Sequence, residues 1–131
     1  MDEIEVVAAI YRALDERDFD SLQGLLDPSV VITQDAALPW GGRFVGHDGF
    51  GRFGELLTGT IDSTVAIETL FMAEGEVYQV GRTRGVVRAT GASFDLPEVH
   101  RWTIRNGRAV QAHFAIDTEA MLTALAIGTA I

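Results

Sequence analysis

The feature that most constrains this chain is a change of period at Thr64. Before it, apolar residues recur at the three-to-four-residue spacing of helices. After it come strand-like runs, in which side chains alternate between two faces, broken by turn-forming residues. The runs are Thr64 to Met72, Val77 to Ala89, Phe94 to Arg105 and Arg108 to Ile116. The breaks are Glu74-Gly75-Glu76, Thr90-Gly91-Ala92 and Asn106-Gly107, the last a strong signal for a type I′ hairpin. Strands joined this closely run antiparallel to their neighbours. Helices first and a meander after predict an α+β fold, with a curved antiparallel sheet packed on N-terminal helices around an interior pocket.

Ile4, Val7, Ala8, Tyr11 and Leu14 predict a first helix that ends near Arg17, with acidic residues in its first turn where the macrodipole favours them. Asp18-Phe19-Asp20-Ser21 offers capping side chains for a short second helix through Leu22, Leu25 and Leu26, stopped by Asp27-Pro28-Ser29. Val30 to Gln34 is β-branched and reads as a strand, and Asp35 to Gly46 as a loop. Phe50, Phe53, Leu56 and Leu57 suggest a third helix after Gly46-His47-Asp48, although four glycines from Gly49 to Gly59 weaken it. Asp117 or Thr118 caps a closing helix through about Ala126.

A chain of 131 residues has the length of one domain, here residues 1–131. Its net charge of −9 disfavours nucleic acid and anionic membrane surfaces, which are bound by neutralising phosphates with Lys and Arg. The acidic start Met1-Asp2-Glu3-Ile4-Glu5 is unlike a signal peptide, and charged residues interrupt every later apolar run, so a cytoplasmic protein is expected. With no cysteine, disulfides, thiolate metal sites and cysteine nucleophiles are excluded. His47, His100 and His113 show no ligand spacing, and neither a metal nor another cofactor is expected.

Three stretches carry a family resemblance. They are Tyr11-Arg12-Ala13-Leu14 leading to Asp18-Phe19-Asp20, then Leu38-Pro39-Trp40-Gly41-Gly42-Arg43-Phe44-Val45-Gly46, and His100-Arg101-Trp102-Thr103-Ile104-Arg105-Asn106-Gly107-Arg108. In that order they resemble the nuclear transport factor 2-like superfamily, also called SnoaL-like or ketosteroid isomerase-like. The resemblance implies a cone-shaped, cystatin-like α+β roll that binds a hydrophobic small molecule. It also implies a homodimer through the outer sheet face, which bears Val80, Val86 and His113. The fold hosts isomerases, cyclases, dehydratases, epoxide hydrolases and non-catalytic modules, so it does not settle function.

Strand alternation sorts the side chains. Gln79, Gly81, Thr83, Gly85, Val87 and Ala89 form a concave wall of mostly small residues, which places Arg82, Arg84 and Arg88 on the opposite face. Phe94, Leu96, Glu98, His100, Trp102 and Ile104 share one face, which the resemblance turns inward, and a bulge at Pro97 would flip the residues before it. Val110, Ala112, Phe114 and Ile116 fall inward and His113 outward. Tyr11, Trp40, Trp102 and Phe114 would then supply aromatic wall; Gln34, Thr83, Glu98 and His100 would supply polarity, with Asp35 near the rim.

Ketosteroid isomerases use one Asp as base and a Tyr with a protonated Asp as oxyanion donors. By the resemblance those places fall on Gln34, Ile10 and His100, so steroid isomerisation is not expected. The Asp-Arg-Asp set of limonene-type epoxide hydrolases is not matched either, since Arg101 lies on the face opposite His100. A histidine-centred site remains. His100 is the candidate acid–base, Glu98 its partner on the same face, and Asp35 a second acid or base if its loop folds inward. Such a set suits isomerisation, dehydration or aldol-type cyclisation beside a carbonyl. The alternative is a ligand-binding or dimerisation module with Trp40 plugging the fold and Tyr11 packing helix on sheet.

Overall fold

Asn106 and Gly107 take φ of 51° and 76°, as the type I′ turn requires, and Glu74 and Gly75 do the same at 52° and 80°. These two turns pin a meander of four long strands. The computed structural model describes residues 1–126. Its elements are α1 (Glu3–Glu16), α2 (Phe19–Leu25), β1 (Leu26–Gln34), β2 (Gly42–Val45), α3 (Gly46–Thr60), β3 (Ile61–Ala73), β4 (Glu76–Val87), β5 (Ser93–Arg105), β6 (Arg108–Ile116) and α4 (Thr118–Ala126). The strands form one sheet in the order β2-β1-β6-β5-β4-β3. All neighbours are antiparallel except β1 and β6, which run parallel. The expected antiparallel sheet is thus mixed at one join, where the chain returns to β1 after the whole meander.

Local chemistry sets the helix ends. Asp2 and Glu5 form a reciprocal capping box on α1. Asp18 caps α2, and the Asp117 carboxylate accepts from Ala120 N at the start of α4. The buried stripe of α1 is Val6, Val7, Ile10, Tyr11 and Ala13, turned from the expected one; Ile4 and Leu14 are only half-buried. Leu26 opens β1 rather than closing α2, and a register shift between Leu26 and Val31 absorbs Asp27-Pro28-Ser29. The expected loop from Asp35 to Gly46 contains β2, which pairs with β1 from Val31↔Val45 to Gln34↔Gly42.

The sheet curls around the helices, and two glycines let it. A Cβ on Gly81 would lie 2.2 Å from the Ala66 carbonyl oxygen, and one on Gly85 would lie 2.0 Å from that of Asp62. No side chain fits there, so β4 can bend against β3 only with glycine at both places. Pro97 causes no bulge: β4 and β5 pair without a shift from Val77↔Trp102 to Val86↔Ser93. Pro97 also lies beyond Glu98, the last residue of β5 that pairs with β6, so the hydrogen it lacks is not needed by β6 there. Ala89 falls outside β4 and is exposed, which removes it from the concave wall. In β6 a shift between Thr103 and Ile104 moves Ala109 inward and leaves Val110 half-buried.

Candidate functional site

The register lines up one row of side chains across the concave face: Gln34 on β1, Phe114 on β6, His100 on β5, Gln79 on β4 and Leu70 on β3. The next row holds Ile116, Glu98, Gly81 and Ile67. Above them lies a cavity of about 510 Å³, lined on its other side by residues of α1, α2, α3 and α4. That volume falls in the range of small-molecule sites. Its lining is largely apolar, and the polar groups that face it include Gln34, Thr83, Glu98 and His100.

Five side chains, Trp102, Tyr11, His100, Glu98 and Gln79, make one buried network. Trp102 Nε1 donates to the Tyr11 hydroxyl at 2.9 Å, and the hydroxyl meets His100 Nδ1 at 2.6 Å. His100 Nε2 faces Glu98 Oε1 at 3.4 Å, and Gln79 Nε2 donates to Glu98 Oε2 at 2.6 Å. An indole N–H can only donate, so it occupies the Tyr11 oxygen as an acceptor. Among the described residues the phenol proton then has Nδ1 as its one acceptor. Gln79 Nε2, 3.3 Å from the same nitrogen, is also a donor. Nδ1 is therefore the bare nitrogen of the neutral ring, and the ring proton sits on Nε2, pointing toward Glu98. Burial raises the Tyr11 pKa well above its ordinary value; the Glu98 charge adds to this, and donors on Trp102 and Gln79 work against it. The hydroxyl stays a neutral donor.

A second polar cluster lies two strands away. Trp40 Nε1 donates to Gln34 Oε1 at 2.8 Å, and both side chains are buried against the cavity. The loop that delivers Trp40 folds back tightly: Leu38 N donates to Asp35 O, Gly41 N donates to Leu38 O, and a Cβ on Gly41 would lie 1.8 Å from Asp35 O.

Tyr11, Gln34, Trp40, Thr83, Glu98, His100, Trp102 and Phe114 all line the cavity. Asp35 does not. It is exposed, and its carboxylate accepts from Ala37 N at 2.9 Å, so the loop turns it outward as a turn cap. Gln79, which alternation placed on the concave wall without a role, is fully buried and joins Glu98 to His100, a pairing that only the β4–β5 register reveals. Tyr11 proves to be a hydrogen-bonding member of the network as well as helix-to-sheet packing.

On the outer face, Arg82 and Arg84 clasp Asp95, and His113 Nδ1 pairs with the Thr33 hydroxyl at 2.7 Å. Among the described residues no group of three or more His, Cys, Asp or Glu could hold a metal, and no helix is long and apolar enough to cross a membrane.

The SnoaL-like domain profile matches residues 7–112. The fold is similar to that of a nuclear transport factor 2-like protein from Burkholderia thailandensis E264, at 28% identity over 93% of this chain and 95% of that one, with a TM-score of 0.85. It is similar also to a nuclear transport factor 2-like protein of unknown function from Burkholderia pseudomallei K96243, at 26% identity over 92% and 95%, with a TM-score of 0.84. TerC, co-crystallised with polyporic acid, has a TM-score of 0.84 over 93% of this chain and 96% of that one; at 24% identity it speaks for the fold alone. No curated protein matches the sequence significantly.

Proposed function

The chain belongs to the SnoaL-like domain family, and from that premise we propose that it binds a hydrophobic carbonyl compound and moves a proton on it, without a cofactor. The observation that carries this reading is the Tyr11–His100–Glu98–Gln79 network at the floor of an apolar cavity. Glu98 Oε2 is occupied by Gln79, while among the described residues Oε1 has only the long contact to His100 Nε2. A carboxylate oxygen and an imidazole N–H thus stand side by side: the first takes a proton from a carbon beside a carbonyl and returns it as the carboxylic acid, while the N–H keeps its proton and holds the carboxylate in place. Tyr11 fixes the ring so that the N–H faces the carboxylate. Isomerisation, dehydration and aldol-type cyclisation all use this pair. Asp35 has no part in it.

The test is hydrogen–deuterium exchange at the α-carbon of apolar aryl ketones in D₂O, followed by mass spectrometry. The wild type should speed exchange, and Glu98→Gln and His100→Asn should each reduce it by at least tenfold while the ketone still binds. Binding without any acceleration in the wild type would instead support the alternative, a non-catalytic binding module. One domain over residues 1–131, a cytoplasmic location and a homodimer through the outer face form part of the same proposal. The exposed Val86 and Val99 and the half-buried Val80 on that face favour the dimer.

A further inference from the structure

From the bond between Trp40 and Gln34 we infer that the Gln34 end of the cavity is an acceptor-only subsite, at which the oxygen of a ligand carbonyl docks. The orientation of a buried glutamine amide is set by its partners. The Trp40 indole has a single N–H and no acceptor, so the Gln34 atom 2.8 Å from it is the oxygen. The NH₂ group is left over. Gln34 lines the cavity, is 8% exposed, and among the described residues its Nε2 has no partner. A ligand atom that meets it must accept a hydrogen bond; a hydroxyl or amine proton pointed there would leave two donors facing each other. Trp40 is therefore a positioning residue, which acts on specificity through Gln34 and not by polar contact of its own.

The placement fits the chemistry proposed for the opposite end. Gln34 and His100 stand in one row with Phe114 between them. At the usual strand spacing their backbones are about 10 Å apart. A flat ligand with two carbonyl groups, lying over Phe114, would hold the oxygen of one at Gln34 and present a carbon beside the other to Glu98 and His100. This inference rests on the small-molecule reading above.

The two can be separated with a matched pair of probes: 6-propionyl-2-(dimethylamino)naphthalene, an apolar ketone, and its 6-propyl analogue, which lacks the carbonyl. Dissociation constants for both are measured by fluorescence for the wild type, Gln34→Met and Trp40→Phe. The carbonyl stretch of the ¹³C-labelled ketone is recorded for each complex. The ketone-over-propyl affinity ratio should fall about tenfold in Gln34→Met. The stretch should lie at lower wavenumber in the wild type and move up in that variant. Trp40→Phe, which frees the amide to turn, should lose part of both effects, and Gln34→Met carries the test if the larger change disturbs folding. An unchanged ratio and stretch in Gln34→Met, with both probes bound, would overturn the inference and leave the cavity reading intact. Failure of both probes to bind the wild type would overturn the cavity reading itself.

Discussion

Tyr11 offers the most direct physical check on the buried network, because its protonation can be read as stability. Tyr11 is 8% exposed, and burial raises its hydroxyl pKa far above the ordinary 10.0. The unfolded chain therefore loses this proton near pH 10 while the folded chain keeps it. A folded pKa above the unfolded one leaves stability intact below pH 10 and erodes it as pH rises. The slope is about 1.4 kcal/mol per pH unit for one proton, or roughly 2 kcal/mol between pH 10 and 11.5. Tyr11→Phe has no such proton. At pH 7 it should instead be less stable by about 2–4 kcal/mol, because Trp102 Nε1 and His100 Nδ1 lose their 2.9 Å and 2.6 Å partners inside the protein. The gap between wild type and variant should thus narrow by roughly 2 kcal/mol from pH 10 to 11.5. Urea unfolding followed by tryptophan fluorescence suits the measurement, since Trp40 and Trp102 are both buried. The background is quiet, because the chain has no cysteine and no lysine to titrate in this range. Tyr78 is present in both proteins and cancels in the difference. Parallel stability curves for the two proteins from pH 9 to 11.5 would refute the claim that Tyr11 is held as a neutral buried donor.

The glycines should divide by what surrounds them. Gly81→Ala must push a methyl against a backbone carbonyl at 2.2 Å and against Gln79 Oε1 at 2.4 Å, so urea unfolding should show a loss of about 2–3 kcal/mol. Gly54→Ala meets nothing within 4 Å in the middle of α3, and should gain up to about 1 kcal/mol while taking volume from the cavity. A neutral result at Gly81 would contradict the tight β3–β4 approach. The proposed dimer should appear by sedimentation at micromolar concentration, and Val86→Arg on the outer face should give a folded monomer. A wild type that is monomeric throughout that range would rule the dimer out.

What the sequence made legible was whatever depends on local periodicity. Alternation from Phe94 to Ile104 put Glu98, His100 and Trp102 on one face, and those residues are all buried on the concave side. The Asn106-Gly107 turn marked the β5–β6 hairpin, but counted straight out from it His100 would face His113; the register shift between Thr103 and Ile104 brings Phe114 beside His100 instead. The β4–β5 connection from Arg88 to Ala92 carries no turn of fixed length, so the pairing of Gln79 with His100 could not be counted out from it. The parallel join of β1 with β6 was hidden for a stronger reason: about eighty residues separate the partners, and no local signal encodes that contact. Helix phase was a further gap. The buried stripe of α1 runs through Val6 and Ile10 beside Val7 and Tyr11, a rotation small enough to keep Tyr11 inward but enough to carry its hydroxyl into the network. Asp35 shows the opposite failure, in which proximity in sequence to Gln34 suggested a role that the Asx turn at Ala37 excludes.

The energetics of the network bear on whether it is there for chemistry. A purely structural core would do better with apolar side chains at Gln79, Glu98 and His100, since polar groups buried with imperfect partners cost stability. One imperfection is visible. Among the described residues Gln79 Oε1 is buried without a partner, at a cost of about 1–3 kcal/mol for such a group. It lies over Gly81, 2.4 Å from where any Cβ would stand, so the strand gives up a side chain to make room for an amide whose oxygen bonds nothing. What the amide does achieve is at its other end, where Nε2 holds Glu98 Oε2 at 2.6 Å and leaves Oε1 beside His100. An arrangement that leaves one carbonyl unpaired in order to fix one carboxylate is poor packing and good positioning. If that is its purpose, Gln79→Leu should keep or raise the unfolding free energy while slowing ketone α-exchange, and Gln79→Glu should not restore it. A Gln79→Leu protein that exchanges as fast as the wild type would return the network to the status of a tolerated core.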